Sequence, residues 1–326
     1  MKRFVFSALI IMWVAVLMVP AAALAQDKFP SKPITVIVPF SAGGSSDLLA
    51  RAVERIWPKY SPQPIVIINK PGGGGVVGTE FVVRSKPDGY TLYLGYGSGH
   101  DVVMPHLQKM PYDTYKDLAA VSRLSVHSVV ICTGAKSEFN SMKDLVAWAK
   151  KENKPVTSSV ATKAGAVDIA TTALGKAAGI NIVTVPFAGG ADAVTALAGG
   201  HVMLGGGHPS EVMPHIKAGR FKPLGIALPE RDPSLPDVPT LKEQGINVST
   251  WGSIKGVAAP AATPKEVVDY LDATFKKVCE DAEFKKIMSD LFQPVMYLNS
   301  ADFAKFLQQA YSDYGKLIKD LNISIQ

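Results

Sequence analysis

The chain of 326 residues carries 34 lysines and arginines against 28 acidic residues, which gives a formal net charge of +6. This basic excess is small and dispersed, so it favours anionic ligands in general and gives no reason to expect a nucleic-acid partner. The chain is longer than a single hydrophobic core usually supports, and two domains are therefore expected.

Cysteine and histidine usage gives no expectation of a metal site or a cofactor. The six histidines are scattered, and neither residue type shows metal-ligand spacing. Cys132 and Cys279 are 147 positions apart, each in an apolar or helical setting. In an oxidising compartment they either pair or remain buried free thiols, and the apolar settings favour free thiols.

Residues 1–25 have the pattern of a secretory signal peptide. Lys2 and Arg3 precede an apolar run over 4–19, and an Ala-Leu-Ala cleavage site covers 23–25. The run is short for a membrane span, and no second run approaches that length. We therefore expect a periplasmic protein whose mature chain begins at Gln26.

Apolar runs, glycine and proline breaks and capping residues predict alternating strands and helices along most of the chain. The predicted strands cover 34–40, 65–69, 91–95, 118–126, 128–132, 156–160, 182–185, 202–204 and 224–228. The predicted helices cover 47–57, 78–84, 141–150, 165–178, a stretch from 192, 240–245, 264–280 and 301–320. Thr263 is the predicted N-cap of the helix at 264–280. This alternation favours a parallel, doubly wound sheet followed by a second α/β unit.

One sequence motif occurs twice. Val-Pro-Phe-Ser-Ala-Gly-Gly at 38–44 and Val-Pro-Phe-Ala-Gly-Gly at 185–190 each follow an apolar run and lead to an aspartate, Asp47 or Asp192. Each copy thus predicts a strand, a glycine turn and a helix N-terminus, whose free N–H groups and dipole attract anions. Either the two copies grip a small anion across a cleft, or they are two ordinary turns that share small residues.

A third glycine cluster, at 73–78, satisfies the G-x-G-x-x-G dinucleotide pattern. No acidic residue ends the following strand to hold a ribose, and nicotinamide cofactors are not supplied outside the cytoplasm. Nucleophile motifs such as G-x-S-x-G do not occur. We expect a further set of backbone donors here and no enzyme; a periplasmic dehydrogenase-like enzyme is the alternative.

These motifs resemble those of the Bug-type substrate-binding proteins, the extracytoplasmic receptors of tripartite tricarboxylate transporters. The matching segments cover essentially the whole mature chain in order: 32–47, 69–78, 87–92, 111–113, 186–190, 235–240 and 251–252. The resemblance implies a two-lobed α/β periplasmic-binding-protein fold of the Venus-flytrap, type II-like kind, each lobe a mixed sheet flanked by helices. It places lobe 1 at 26–124 and 251–326, lobe 2 at 125–250, and hinges near 122–126 and 249–254.

The family also implies that backbone N–H groups of the loops hold a small carboxylate, which the protein, expected to be a monomer, delivers to membrane transporter subunits. A ligand sensor for a two-component receptor is the alternative. Asp47 and Asp192 are expected to cap helices rather than touch the anion. The expected ligand-binding residues are Phe40, Ser41, Ala42, Gly43, Gly44, Ser45, Asp47, Gly74, Gly75, Ser98, Thr162, Lys163, Gly165, Asp168, Phe187, Ala188, Gly189, Asp192 and His208.

The chain departs from the family pattern in two segments, 161–168 and 205–208. Lys163 either pairs with a distal carboxylate, which favours a di- or tricarboxylate, or is a solvated loop lysine. Asp168, where a histidine is usual, favours an amine or hydroxyl on the ligand. His208 either reaches the cleft or is a structural loop residue.

Overall fold

In the computed structural model, which describes residues 28–324, the strands form two five-stranded sheets. We call each sheet with its helices a lobe. The strands of lobe 1 are β1 (Ile34–Val38), β2 (Ile65–Asn69), β3 (Thr91–Tyr96), β4 (Leu118–His127) and β10 (Ser253–Pro260). Their order is β2–β1–β3–β10–β4. The first three are parallel, and β10 is antiparallel to both of its neighbours.

Lobe 2 repeats this design. Its strands are β5 (Val130–Gly134), β6 (Val156–Val160), β7 (Ile182–Pro186), β8 (Leu204–Gly207) and β9 (Phe221–Ile226). Their order is β7–β6–β8–β5–β9, with β6 parallel to β7 and β8, and β5 antiparallel to β8 and β9. Each sheet is therefore mixed, and the parallel doubly wound pattern holds only for the strands joined through helices.

Helices cover the faces of both sheets. Lobe 1 carries α1 (Ser45–Ile56), α2 (Val76–Val83), α3 (Gly99–Val102), α8 (Lys265–Glu280), α9 (Ala282–Asp290) and α10 (Ser300–Asp320). Lobe 2 carries α4 (Met142–Glu152), α5 (Ala166–Ala178), α6 (Gly190–Ala198) and α7 (Pro209–Lys217). Short 3-10 turns occur at Trp57–Lys59, Gly73–Gly75 and Met104–His106.

The core of lobe 1 fixes the position of α1. Leu49 and Val53 lie on the buried stripe of this helix, facing the apolar side chains of the first sheet. Trp57, fully buried at its end, packs on Phe275 of α8 with ring centroids 4.9 Å apart. Each such side chain stabilises the fold by about 1.5–3 kcal/mol. This packing fixes the N-terminus of α1 near the carboxyl end of β1.

The chain passes between the sheets twice, after β4 and before β10. The predicted hinge segment 122–126 lies within β4, whereas 249–254 includes the start of β10. The predicted signal peptide at 1–25 lies outside the described residues. Within residues 28–324, no helix combines the length and the apolar character needed to cross a membrane. Cys132 in β5 and Cys279 in α8 are buried free thiols on different lobes.

Three local predictions were wrong. Thr263 does not cap α8, because its Oγ1 donates to the Pro260 carbonyl and Pro264 is the N-cap. Residues 241–245 form turns rather than a helix, although Thr240 and Glu243 make the hydrogen bonds of a capping box. Helix α9 was missed, and Asp281 caps it by accepting two backbone N–H bonds.

Candidate functional site

Four helices begin at one cavity of about 50 Å³ between the lobes, lined in part by Gly44, Gly165, Gly190 and His208. Gly44 is the N-cap of α1, Gly165 of α5 and His208 of α7, and Gly190 is the first residue of α6. The first N–H groups of a helix have no intrahelical partner, and the helix dipole places partial positive charge there. This convergence makes the cavity suited to an anion.

The loops before α1 and α5 are held in the same way. In α1, Asp47 is the third residue, and its Oδ2 accepts the Gly43 N–H at 2.9 Å. In α5, the third residue is Asp168, whose Oδ2 accepts the Ala164 N–H at 2.6 Å. Both aspartates thus turn back onto their own loops. They leave the N-termini of their helices to face the cavity.

Glu211 has the same position on α7 and reaches further. Its Oε2 accepts the N–H of the N-cap residue His208 at 2.9 Å. Its Oε1 accepts the N–H of Ser45, the first residue of α1 in the other lobe, at 2.8 Å. One carboxylate of the protein itself therefore joins the two lobes at the cavity.

Lys255 brings a positive charge to the cavity from the middle of β10. The side chain is 3% exposed, and its Nζ donates to Ser46 Oγ at 2.9 Å. Burial lowers the pKa of Lys255 to about 8, although the neighbouring Glu211 opposes the shift. The ammonium is thus mostly protonated at pH 7 without being saturated by partners, since it has three donors.

His208 and Glu211 influence each other's protonation. Burial lowers the pKa of His208, so its ring is neutral at pH 7. Burial also opposes ionisation of Glu211, but the two backbone N–H donors and the Lys255 ammonium hold the pKa of its carboxyl below the ordinary value. The His208 Nδ1 lies 2.9 Å from the Ser128 carbonyl oxygen, so a neutral ring donates there and keeps Nε2 as an acceptor.

The lobes touch at further points around the cavity. Gln293 of lobe 1 donates through Nε2 to the Ser45 carbonyl oxygen and to Ser210 Oγ of α7, each at 3.0 Å. Gly99 of lobe 1 packs so closely on lobe 2 that a Cβ there would lie 1.8 Å from the Ala164 carbonyl oxygen. The described conformation is therefore one in which the lobes are in contact.

A buried polar cluster supports the third glycine loop. The His100 Nε2 lies 2.9 Å from Thr79 Oγ1 and 2.8 Å from the Tyr93 hydroxyl, which donates to Asp101 Oδ2 at 2.7 Å. Burial raises the pKa of Asp101 to about 7. A Cβ on Gly75 would lie 2.4 Å from His100 Cε1, and its φ of +111° also favours glycine. Gly75 therefore packs against this cluster rather than lining the cavity.

The sequence matches the family model described as "Tripartite tricarboxylate transporter family receptor" over residues 49–323. The chain belongs to this family. It is 31% identical over 253 residues to Protein BugT of Bordetella pertussis, covering 77% of this chain and 78% of BugT. The family is one of substrate-binding receptors and not of enzymes, so the resemblance and the non-enzyme expectation are confirmed.

Solved structures confirm the two-lobed periplasmic-binding-protein fold of this receptor. The periplasmic binding protein BugD has a TM-score of 0.85 and 29% identity, covering 91% of this chain and all of BugD. MatC of Rhodopseudomonas palustris, solved with bound malate, has a TM-score of 0.83 and 26% identity, covering 89% of this chain and all of MatC.

The receptor brings seven of the nineteen predicted residues to the cavity wall: Phe40, Gly44, Ser45, Ser98, Thr162, Gly165 and His208. The other predicted residues do not line this cavity: Ser41, Ala42, Gly43, Asp47, Gly74, Gly75, Lys163, Asp168, Phe187, Ala188, Gly189 and Asp192. Two of these, Asp47 and Asp168, hold the loops before α1 and α5 instead.

Lys163 lies outside this cavity wall, and its Nζ donates to Thr184 Oγ1 of β7 at 3.0 Å. The preference for di- or tricarboxylates that was based on this lysine therefore stays a prediction. His208, for which two roles were open, both lines the cavity and caps α7.

Sequence reasoning missed nine lining residues: Ser46, Gly99, Ala161, Ala166, Val167, Gly190, Glu211, Ser253 and Lys255. A signal existed for the two charged ones. Lys255 interrupts an apolar strand, and a lysine is almost never buried without a specific partner. Glu211 follows a glycine run and His-Pro-Ser at the start of a helix, where a carboxylate points toward the N-terminus.

Proposed function

We propose that this receptor captures a small carboxylate in the cavity between its lobes. The observation that carries the proposal is the convergence of four helix N-termini and the buried Lys255 ammonium on one cavity. A carboxylate there meets backbone N–H donors, dipole charge and a full positive charge together. Each hydrogen bond to a charged group contributes ~1.5–3 kcal/mol, so a few suffice for micromolar binding.

Capture involves closure, because the binding groups come from both lobes. Only the conformation with the lobes in contact offers Lys255 of lobe 1 and the starts of α5 and α6 of lobe 2 to one ligand. A ligand that binds both sets shifts the population toward that conformation. The segments that pass between the sheets, including the predicted 249–254, serve as the hinge, and Gln293 and Glu211 then hold the closed state.

A thermal-shift screen of the purified protein against mono-, di- and tricarboxylates tests capture. A ligand present at 100 times its dissociation constant adds ~2.7 kcal/mol to the free energy of unfolding, which raises the melting temperature by several degrees. A shift with at least one carboxylate and none with nicotinamide dinucleotides is expected. A shift with a dinucleotide alone would contradict the proposal.

We further propose that residues 1–25 direct export and are removed, and that the periplasmic monomer delivers its ligand to a tripartite tricarboxylate-type transporter. Membership of the receptor family supports this role. Uptake of the radiolabelled ligand found by the screen is the test, in host cells with the receptor gene deleted and then restored. Uptake that survives the deletion would refute delivery while leaving ligand capture intact.

A further inference from the structure

Two opposite charges face the cavity without being paired to each other. Glu211 and Lys255 both line it, one from each lobe. The Glu211 carboxylate accepts the N–H groups of Ser45 and His208, and the Lys255 ammonium donates to Ser46. Burying charges is costly unless they find partners. A cavity that keeps one cation and one anion apart is therefore built for a ligand that has a group for each.

Both side chains have unused hydrogen-bonding capacity. The Lys255 ammonium has three donors, one of which goes to Ser46 Oγ. Each carboxylate oxygen of Glu211 accepts one backbone N–H and keeps a further lone pair. The neutral ring of His208 keeps Nε2 as another acceptor beside Glu211 on α7. Lobe 2 thus offers acceptors for a cation, and lobe 1 offers donors for an anion.

Both charges are present at neutral pH. The Lys255 pKa of about 8 leaves most of its ammonium protonated at pH 7. Burial opposes ionisation of Glu211, but the backbone N–H groups and the Lys255 ammonium hold the pKa of its carboxyl below the ordinary value. The wall of the cavity therefore carries no net charge, which suits a ligand that is itself neutral overall but internally charged.

We propose that the ligand is a small zwitterion, an amino acid whose carboxylate binds Lys255 and the helix N-termini while Glu211 accepts hydrogen bonds from its ammonium group. This inference rests on the proposed capture of a carboxylate and narrows it. A second carboxylate would share the cavity with Glu211, and like charges in such a water-poor site repel. A ligand with one carboxylate and no cation would compete with Glu211 for the one positive charge of Lys255.

The test compares acids that differ only by an ammonium group, using isothermal titration calorimetry on the full protein at pH 7. The matched pairs are glycine and acetate, alanine and propionate, 4-aminobutyrate and butyrate, and aspartate and succinate. We expect the tightest ligand to carry an ammonium group and to bind at least about tenfold more tightly than its matched acid. Glu211→Gln weakens closure for both ligands, because an amide NH2 replaces one of the two oxygens that accept backbone N–H groups. The amino acid should therefore lose at least about tenfold more affinity than its matched acid.

Asp144→Asn is the matched control. Asp144 is also an acidic third residue of a helix in lobe 2, bonded back to the Asn140 N–H at 3.1 Å, but it does not line the cavity. This variant should bind every compound as the unaltered protein does. Glu211→Asp provides a second test if Glu211→Gln folds poorly, because it keeps the charge and shortens the reach.

The outcomes separate the two proposals. If an acid without an ammonium group binds as tightly as any amino acid, the zwitterion inference fails and carboxylate capture stands. If the preference for the ammonium group survives Glu211→Gln, the assignment of Glu211 fails. If none of the eight compounds binds, with the screen of carboxylates also silent, both proposals fail together.

Discussion

The two Val-Pro-Phe loops look alike in sequence, yet the receptor uses their glycines differently. In the first loop, Gly43 has a φ of +80°, and a Cβ there would meet nothing closer than 3.9 Å. In the second, Gly189 is extended, but a Cβ on it would lie 3.0 Å from Ser41 Cβ, and one on Gly190 only 2.2 Å from Glu211 Oε1. The first loop needs glycine for its conformation, and the second needs it because the other lobe and Glu211 come so close.

The loops also differ in what they present. The first places Phe40, Gly44, Ser45 and Ser46 in the cavity wall, whereas the second contributes Gly190 alone. The bond from Ser45 N–H to Glu211 occupies the start of α1 in the contacting state. The repeated sequence motif thus identifies two equivalent turns. The neighbours of each turn decide which one forms more of the cavity wall and which one provides clearance between the lobes.

The largest effect is expected where glycine gives clearance between the lobes. Gly99→Ala would place a Cβ 1.8 Å from a backbone oxygen of Ala164, which no side-chain rotation relieves. Closure would be blocked, and the contacts from one lobe would be lost. Losing two or more hydrogen bonds to a charged ligand, at ~1.5–3 kcal/mol each, lowers affinity at least about a hundredfold.

Calorimetry measures this affinity, and small-angle scattering with saturating ligand reports whether the lobes close. Gly134→Ala is the control, because a Cβ at Gly134 meets nothing within 4 Å. If Gly99→Ala closed on its ligand with unchanged affinity, glycine would not be serving as clearance at this contact.

The next largest effect concerns the N–H group at the start of α1. Ser45 is the first residue of the helix, where proline is tolerated, and Gly44 before it is extended, as a residue before proline should be. Ser45→Pro therefore keeps the helix, removes the N–H that Glu211 accepts and places the ring at that position. We expect a loss of affinity of about 10- to 150-fold.

Ser45→Ala separates the backbone from the side chain, because it keeps the N–H. It should bind within about twofold of the unaltered protein, since the serine hydroxyl makes no bond on which the site depends. Circular dichroism verifies that both variants retain the fold. Equal losses in the two variants would show that the hydroxyl, and not the backbone group, contributes to binding.

Most strand positions were predictable because local chemistry determines them, although β10 was missed and β8 shares only Leu204 with its predicted range. The composition of the cavity was not predictable. The strands at 34–40 and 65–69 are apolar runs bounded by proline and glycine, and β1 and β2 match them closely. Ser45 was found because its helix follows a glycine loop. Lys255 and Glu211 approach the same cavity only through the packing of two lobes, which no spacing along the chain encodes.

A smaller loss of affinity is expected for the phenylalanine of the first copy of the repeated motif, and almost none for that of the second. Phe40 lines the cavity beside His100, with ring centroids 5.8 Å apart, whereas Phe187 is not part of the wall. Phe40→Ala removes apolar surface that a ligand would cover, so we expect affinity to fall about tenfold. Phe187→Ala should stay within about twofold. Calorimetry on both variants decides the point, and a larger loss at Phe187 would reverse the ranking of the two loops.

The smallest expected effect is the pH dependence contributed by Lys255, measured with a bound acid that has no ammonium group. The pKa of Lys255 is about 8 in the described conformation, and a bound carboxylate favours the charged form, so binding raises that pKa. Affinity should therefore be constant well below pH 8 and fall above it, by at most about tenfold per pH unit. The pKa of His208 is lowered, so its ring is already neutral above pH 8, and Glu211 remains ionised.

The control is Lys255→Met, which should bind the acid more weakly at pH 7 and show an affinity that does not change from pH 7 to 9. A profile that kept its slope in this variant would assign the titration to another group and remove Lys255 from the anion-binding side of the cavity.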